Sequence, residues 1–492
     1  MSGVDIRETG TITEIKRGIV KLAGLPSCIM GQLIELGHGA QGLVIGFTEH
    51  EVLALTLGQD AELSVGQQVD VRQEPLRVPV GKALLGRIVA PLGEPLDGEA
   101  QPAAPDRRPL FQDAPGIMAR SPVDRQLYTG LRVIDTMIPL GRGQRQLVIG
   151  DRMTGKTTLA LDTMLNQRHQ SIVCIYCGIG QSEQKLRQVA QMLREQGALP
   201  YTIVVAAPAS REASEQFLAP YAACAIGEYF MQQGRDVLVV FDDLSKHAWA
   251  YRQLSLLLER PPGREAYPGD MFYMHSQLME RAGQLNQERG SGSMTFLPIC
   301  ETQQGDVTGY ISSNLISMTD GQMYLSSELF YEGTKPAVDV GLSVSRIGNK
   351  VQPHLLRWVS AGLRLDLLQY QELLRLMRFA GTASTQMLER QERGALLRRL
   401  MTQGANQPVA PEELTLLFYA FKTGWLSRVS DEGLRISLSG LVERLPAFAR
   451  EVLHDPQPLT PLLHAQLESA LEDLLRPYVK PEKRDVVAKT AA

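Results

Sequence analysis

The sequence is poor in the features that mark secreted and nucleic-acid-binding proteins. Only five cysteines occur among 492 residues, and an odd number of scattered cysteines argues against a disulfide framework. The 50 basic and 54 acidic residues give a formal net charge of −4, without the positive excess that binding to nucleic acid requires. We therefore expect a protein with no structural disulfides and no nucleic-acid partner.

Long apolar runs are absent as well. No stretch is long enough to span a bilayer, and the first residues lack the basic-then-apolar pattern of a signal peptide. We expect a cytoplasmic protein that reaches a membrane only indirectly, through a partner.

Two of the cysteines, Cys174 and Cys177, form a C-x-x-C pattern within an apolar, strand-like run. An offset of three residues puts the two thiols on opposite faces of a strand. We therefore interpret them as buried strand cysteines rather than as a redox or zinc site.

Sequence patterning divides the chain into three expected domains. Residues 1–75 hold short β-rich segments, which are typical of a small barrel, and they offer no aromatic platform for single-stranded nucleic acid. Residues 76–350 alternate apolar strands with helices, as in a parallel sheet that is covered on both faces. Residues 351–492 carry leucine at helical spacing, which predicts packed helices.

The predicted elements follow from these patterns. The predicted strands are 11–15, 19–22, 42–47, 52–55 and 69–71 in the barrel, and 146–149, 172–176, 202–206, 237–241 and 295–299 in the core. The predicted helices are 183–196, 213–233, 275–288, 363–379, 411–422, 441–453 and 462–475.

A phosphate-binding P-loop lies at the centre of the middle domain. It matches G-x-x-x-x-G-K-[ST] and stands between a strand-like run and a helix pattern, the context that this motif requires. The backbone N–H groups of such a loop attract phosphate, Lys156 can reach the β/γ-phosphates, and the hydroxyl of Thr157 can bind Mg²⁺. The expected nucleotide-binding residues here are Gly150, Asp151, Arg152, Met153, Thr154, Gly155, Lys156, Thr157 and Thr158.

Asp242 and Asp243 follow an apolar strand and place carboxylates at its C-terminal end. In P-loop enzymes an Asp at this position holds Mg²⁺, and Asp242 is favoured because it comes first after the strand. Thr157 and Asp242 are therefore the predicted metal-binding residues.

After the second core strand the chain offers Gln181 instead of a carboxylate. An amide cannot act as a general base, although a glutamine can orient water in some GTPases.

Four motifs together resemble the α subunit of F-type ATP synthases. They are 150–157, 242–246 (Asp-Asp-Leu-Ser-Lys), 260–270 (Arg-Pro-Pro-Gly-Arg-Glu onward) and 340–346 (ending in Ser-Val-Ser-Arg), and the resemblance covers nearly the whole chain. It implies a small N-terminal β-barrel, a central RecA-like P-loop domain and a C-terminal helical bundle. It also implies a subunit of an ion-translocating ATP synthase, in which three α and three β subunits alternate around a γ rotor. Such a chain lies at the cytoplasmic face of the cell membrane, bound through the membrane sector.

The same resemblance implies roles for single residues. The α site would bind ATP with Mg²⁺ without turning it over, and Gln181 fits that pattern. Arg346 would stabilise the phosphoryl group at the neighbouring β site, with Ser343 and Ser317 near the same interface. The loop 265–270 would bear on the rotor. Further nucleotide contacts would come from Phe330, Lys335 and Gln403.

The sequence also departs from the family pattern. Met153 and Ala405 stand where glutamines are usual, and Lys335 stands where an arginine is usual. A lost side-chain hydrogen bond costs about 0.5–1.5 kcal/mol, so we expect weaker or less adenine-selective binding. The family's N-terminal helix is nearly absent before Gly10, and the connector 281–292 is short. These features suggest the alternative sodium-associated branch and leave the contact with the peripheral stalk open.

The sequence leaves three alternatives open. A catalytic subunit of the same architecture, such as β or a secretion ATPase, is disfavoured by Gln181 and the Ser-Val-Ser-Arg motif. A hexameric RNA translocase is disfavoured by the net charge, the barrel without aromatics and the long helical C-terminus. A structural ring member with an empty site is kept in view by Met153 and Ala405.

Overall fold

A computed structural model describes residues 8–16, 18–37, 40–57, 63–377, 385–429, 442 and 460–479. Its N-terminal part is a closed antiparallel barrel whose strands follow the order β1-β2-β5-β4-β3-β6. Inward-facing apolar side chains such as Ile12, Val20 and Ile34 form the barrel's own core. The strands are β1 (Thr9–Lys16), β2 (Ile19–Ala23), β3 (Gln32–Gly37), β4 (Ala40–Phe47), β5 (Val52–Leu57) and β6 (Gln68–Pro75).

The predicted barrel is confirmed, with one strand added. All five predicted strands lie within observed strands, whereas β3 was missed. Its apolar residues are Leu and Ile in a Leu-Ile-Glu-Leu run, and leucine is a weaker strand signal than valine or isoleucine. The pairing of β3 with both β4 and β6 supplies the support that the local sequence does not reveal.

The middle part of the chain is built on a ten-stranded, mainly parallel sheet. Its main path runs β20-β19-β13-β18-β16-β14-β15-β8. In chain order the strands after the barrel are β7 (Arg77–Val80), β8 (Ile88–Val89), β9 (Asp106–Pro109), β10 (Arg120–Ser121), β11 (Gln126–Leu127), β12 (Leu140–Gly141), β13 (Leu147–Gly150), β14 (Val173–Ile179), β15 (Thr202–Ala207), β16 (Asp236–Asp242), β17 (Gly283–Leu285), β18 (Ser293–Glu301), β19 (Gly321–Leu325) and β20 (Val344–Ser345).

Both faces of this sheet are buried. On β14, Cys174 and Tyr176 belong to one apolar cluster, and Ile175 and Cys177 belong to the other. The interpretation of the two cysteines as buried residues on opposite faces is therefore confirmed. Because β13, β14 and β16 run parallel, their carboxyl ends meet at one edge of the sheet, and that edge holds the predicted site.

Helices cover the sheet and form the C-terminal part. They are α1 (Arg132–Met137), α2 (Lys156–Leu165), α3 (Glu183–Glu195), α4 (Ala213–Gln232), α5 (Leu244–Leu257), α6 (Met271–Glu280), α7 (Tyr310–Met318), α8 (Ser327–Tyr331), α9 (His354–Ser360), α10 (Leu363–Met377), α11 (Thr385–Met401), α12 (Pro411–Lys422), α13 (Trp425–Arg428) and α14 (Pro461–Leu475). No helix in the described part of the chain is both long enough and apolar enough to cross a membrane.

One helix prediction is wrong. The span 275–288 was expected to be helical, but α6 ends at Glu280 and strand β17 follows. The helix stops where Arg281 turns inward and makes a bidentate ion pair with Glu228, with N–O distances of 2.7 and 2.8 Å. Gly283 then takes a φ of 155°, which an L side chain rarely adopts. The helix predicted at 441–453 lies outside the described residues, apart from residue 442.

Candidate nucleotide-binding site

The P-loop joins the end of β13 to the start of α2, and its two glycines are needed by its geometry. Gly155 caps α2 with a φ of 94°, a left-handed conformation that costs glycine little. A Cβ at Gly150 would lie 2.5 Å from the carbonyl oxygen of Leu325 on the neighbouring strand. Between them, Met153 has a φ of 61° and is 89% exposed.

Lys156 lies folded over this loop. Its Nζ donates hydrogen bonds to the carbonyl oxygen of Gly150 at 2.7 Å and to that of Asp151. Burial lowers the pKa of Lys156, and the negative charges of Glu301 and Asp243 oppose this shift. Phosphate oxygens accept stronger hydrogen bonds than neutral carbonyls, so the ammonium is placed to exchange these carbonyls for a phosphate.

Asp151 and Arg152 anchor the loop to the end of β18 and to the segment that follows it. Asp151 Oδ1 accepts hydrogen bonds from Thr302 Oγ1 at 2.7 Å and from the N–H of Gly305 at 2.8 Å. Arg152 Nε donates to Glu301 Oε1. The Asp151 carboxylate is therefore engaged in holding the loop's shape, and the loop's phosphate contacts would come from its backbone.

The three threonines of the motif lie in three different settings. Thr154 is buried and its hydroxyl donates to the carbonyl oxygen of Asp151 at 2.8 Å. Thr157 Oγ1 donates to Asp242 Oδ2 at 2.7 Å. Thr158 is exposed in the first turn of α2. Only Thr157 connects the P-loop to the predicted metal-binding carboxylate.

Asp242 is the hub of the site. Its Oδ2 accepts hydrogen bonds from Thr157 Oγ1 and from Tyr176 OH, both at 2.7 Å. Its Oδ1 accepts from Gln181 Nε2 at 2.9 Å. The carboxylate is 2% exposed, so these donors compensate for the cost of burying its charge.

The oxygen donors suit magnesium held together with a nucleotide. Mg²⁺ prefers hard oxygen ligands and usually binds through one or two carboxylates, waters and substrate phosphates, which fits Thr157 and Asp242. In the described ranges no three His, Cys, Asp or Glu side chains form a metal-binding group. The site therefore fits a metal whose remaining ligands come from phosphate and water.

Asp243 has a different place. Its Oδ1 accepts the N–H of Lys246 at 2.8 Å and so caps α5. Burial, together with the charge of Asp242, raises the pKa of Asp243 to about 6. Asp243 thus caps a helix, and Asp242 remains the predicted metal-binding carboxylate.

Gln181 is fully engaged at the point where a general base would act. Its Nε2 donates to Asp242, and its Oε1 accepts from Lys246 Nζ at 3.2 Å. The side chain is 4% exposed. An amide held by a donor and an acceptor in this way has no group that can take a proton from water.

Two further residues belong to the site and were not predicted. Tyr176 donates to Asp242, and Lys185 Nζ lies 3.1 Å from Thr157 Oγ1 and 3.4 Å from Asp242 Oδ2. A polar OH within an apolar strand was a usable signal, since a buried tyrosine hydroxyl usually has a partner. The role of Lys185 could not be predicted from the sequence, because a lysine in a helix is normally interpreted as a solvent-exposed charge.

The residues predicted to lie near the adenine end of the nucleotide are found where the C-terminal helices meet the core. Gln403 is 6% exposed, its Nε2 donates to the carbonyl oxygen of Gly130 at 2.8 Å, and its Oε1 accepts the N–H of Arg132 at 3.0 Å. Lys335 Nζ lies 4.9 Å from the ring centroid of Phe330. The amide of Gln403 thus fixes the protein backbone, whereas Lys335 and Phe330 stack at the surface.

Arg346, Ser343 and Ser317 lie apart from this chain's own P-loop. Arg346 follows β20 and is exposed, and in the described part of the chain its guanidinium forms no ion pair. Ser343 is fully buried and donates to the carbonyl oxygen of Asp339 at 2.6 Å. Ser317 is exposed on α7. The N–H of Arg346 donates to the carbonyl oxygen of Asp320 at 2.8 Å, which places Arg346 beside the segment that follows α7.

Strand register explains the separation of Arg346 from the P-loop. Ser345 pairs with Gly321 at the start of β19, whereas Leu325 at its end pairs with Gly150. Four residues of strand at about 3.3 Å each separate the two positions by roughly 10 Å or more. Arg346 therefore lies toward the opposite end of these strands from the P-loop.

Comparison with known proteins covers nearly the whole chain. Family models match at residues 5–71 (ATP synthase alpha/beta family, beta-barrel domain), 130–345 (ATP synthase alpha/beta family, nucleotide-binding domain) and 352–474 (ATP synthase alpha/beta chain, C terminal domain). The three matches correspond in order to the barrel, the core that carries the P-loop, and the helical part.

Curated relatives agree with these matches. A protein from Dehalococcoides mccartyi (strain ATCC BAA-2266 / KCTC 15142 / 195) is 45% identical over 97% of this chain and 95% of its own length. A protein from Caldanaerobacter subterraneus subsp. tengcongensis is 45% identical over 98% and 96%. Both are called ATP synthase subunit alpha, and the alternative of a catalytic hexameric ATPase is not favoured. The chain therefore belongs to the ATP synthase alpha/beta family, as an F-type alpha subunit.

Proposed function

We propose that this chain binds Mg-ATP at its P-loop without hydrolysing it and lends Arg346 to a catalytic site on a neighbouring β subunit. Gln181 carries the first half of the proposal. Its amide touches Asp242 where a carboxylate would be needed to activate water, and both ends of the amide are occupied. The site would therefore hold a nucleotide, while Gln181 would supply no base for its hydrolysis.

The binding role rests on groups that are already in place. The P-loop backbone and Lys156 would hold the phosphates, and Mg²⁺ would be held by Thr157 with Asp242, its charge offsetting that of the phosphates. Asp151 and Gln403 would keep the loops on either side of the nucleotide in position. Phe330 and Lys335 would contact the nucleotide from the surface.

The second half of the proposal rests on where Arg346 lies. A guanidinium that is exposed, lies far from its own P-loop and has no described ion-pair partner can serve a phosphate on another subunit. Ser343 supports it indirectly, since Ser343 Oγ accepts the N–H of Tyr324 and so joins the segment before β20 to β19.

Three such chains would alternate with three β subunits around a γ rotor, at the cytoplasmic face of the membrane, with coupled ion translocation in the membrane sector. A peripheral-stalk contact completes the proposed partners.

Arg346→Ala in the assembled ring tests this role. An arginine supplied in trans contributes about 10³–10⁵ in kcat, so we expect ring ATPase activity to fall by at least about 10³-fold while nucleotide bound at the α P-loop is unchanged. Arg346→Lys keeps the charge but loses the planar fork, and it should recover only part of the rate. Lys350→Ala removes an exposed cation four residues away and is the matched control. Full activity of Arg346→Ala in intact rings would contradict the proposal.

A further inference from the structure

Lys185 places a positive charge on the predicted magnesium ligands. It lies in the first turn of α3, whose N-cap Ser182 accepts the N–H of Lys185 at 3.3 Å. From there Lys185 Nζ reaches Thr157 Oγ1 at 3.1 Å and Asp242 Oδ2 at 3.4 Å. These two oxygen atoms are the ones that the proposed function assigns to Mg²⁺.

The ammonium and the metal compete for the same place. Asp242 Oδ2 accepts hydrogen bonds from Thr157 and Tyr176 and lies next to the Lys185 ammonium, while Oδ1 is taken by Gln181. A dication approaching these oxygens would meet the Lys185 ammonium within a few ångströms. The like charges repel, and because the Lys185 side chain is 37% exposed, solvent screens part of this repulsion. Either the lysine withdraws, or Mg²⁺ binds weakly.

Three lysine side chains of this chain also bring positive charge to the site. Lys156 lies on the P-loop carbonyls, Lys185 lies at Thr157, and Lys246 lies at Gln181. ATP without Mg²⁺ is more negative than its magnesium complex, and charge-assisted hydrogen bonds from ammonium groups are the strong ones. Three lysines converging on one edge of the sheet can neutralise charge that Mg²⁺ would otherwise neutralise.

We propose that Lys185 makes ATP binding at this P-loop nearly independent of Mg²⁺, because its ammonium occupies the metal's ligands and neutralises the same phosphates. The inference rests on the proposed function, since it takes ATP as the ligand of this site. It assigns Lys185 as a specificity-determining residue: the chain accepts the nucleotide with or without its metal, and nucleotide can stay bound when free Mg²⁺ falls.

Equilibrium binding of ATP to the purified full-length chain, by calorimetry in excess Mg²⁺ and in excess EDTA, tests this inference. We expect the wild-type affinities in the two conditions to agree within about threefold. Lys185→Gln should lose about tenfold or more in EDTA, the effect of one charge-assisted hydrogen bond of about 1.4 kcal/mol, and little in Mg²⁺. A titration of Mg²⁺ into the ATP-loaded protein should show tighter metal binding to Lys185→Gln than to the wild type.

Two variants of the same helix serve as controls. Lys185→Arg keeps the charge and should keep binding in EDTA. Arg187→Gln removes a cation that is 82% exposed, and it should behave as the wild type. If the wild type binds ATP only with Mg²⁺, and Lys185→Gln shows the same dependence, this inference is overturned and the proposed function stands. Failure of the wild-type chain to bind ATP in either condition would overturn both.

Discussion

At the scale of single residues, the carboxylate of Asp242 organises the site. It is 2% exposed and brings together a hydroxyl from the P-loop helix, a phenol from β14 and the amide of Gln181. A charge so deeply buried is tolerated because these donors surround it. The consequence is a rigid acceptor, which in our proposal would help to hold Mg²⁺.

The residues that could be predicted from sequence are those whose chemistry is contiguous along the chain. The P-loop and the Asp242-Asp243 pair could be predicted because each is a contiguous sequence motif. Tyr176 and Lys185 do not, because their roles depend on which strand and which helix end lie beside β16, and strand order is set by long-range packing. The anchoring contacts of Asp151 likewise come from a segment about 150 residues away.

Met153 and Ala405 stand where the family pattern has glutamines, so we expect that restoring these glutamines strengthens nucleotide binding. The double variant Met153→Gln, Ala405→Gln adds two side chains that can form hydrogen bonds at exposed positions beside the predicted nucleotide. At about 0.5–1.5 kcal/mol each, the two hydrogen bonds should tighten ATP binding by about 5- to 150-fold, measured by nucleotide exchange. Met118→Gln, at a methionine that is 86% exposed elsewhere, is the control. Unchanged affinity in the double variant would refute the expectation.

At the scale of elements, the helix after the P-loop is attached to the C-terminal part of the chain. The N–H of Asn406 donates to Asp162 Oδ1 at 2.8 Å, and Asp162 is 4% exposed on α2. The N–H of Gln403 donates to the carbonyl oxygen of Lys335 at 2.7 Å. The segment between α11 and α12 therefore connects α2 to the backbone at Lys335. It fixes the surroundings in which we expect the adenine base of the nucleotide to bind.

Asp162 predicts a pH dependence of stability. Burial raises its pKa to about 6, opposed by the hydrogen bond from Asn406. Because the folded state holds this proton more tightly than the unfolded state, the stabilising contribution is complete below about pH 4 and is lost as the pH rises through about 6. Asp162→Asn keeps an acceptor for Asn406 without the charge, so it should raise the free energy of unfolding by about 1–3 kcal/mol at pH 7 and by almost nothing at pH 4.

Urea unfolding across this pH range measures the effect. Asp113→Asn, at an exposed carboxylate, is the control and should leave stability unchanged at every pH. A destabilised Asp162→Asn protein at pH 7 would show that the ionised carboxylate is needed for the attachment to Asn406.

The same scale shows where sequence patterns fall short. The parallel core strands were predictable because both faces of the sheet are apolar. The end of α6 was not, because it depends on a buried ion pair between Arg281 and Glu228, which lie 53 residues apart. Strand β3 was missed because its pairing partners, rather than its own residues, stabilise it.

At the scale of the whole molecule, the two proposed functional groups lie at different ends of the sheet. The P-loop lies at the carboxyl edge of the sheet, and Arg346 lies toward the other end of β13 and β19. This separation supports our proposal that Arg346 acts at the site of a neighbouring subunit in an alternating ring. The boundaries 1–75, 76–350 and 351–492 remain our proposal for its three domains.

The fate of bound ATP tests the central claim most directly. The purified chain is incubated with labelled Mg-ATP, freed of unbound ligand, and analysed for what remains bound. Our account predicts intact ATP, which is lost in Lys156→Ala because the ammonium over the P-loop is removed. Conversion to ADP that is abolished by Lys156→Ala would contradict it, because Gln181 would then have failed to exclude catalysis.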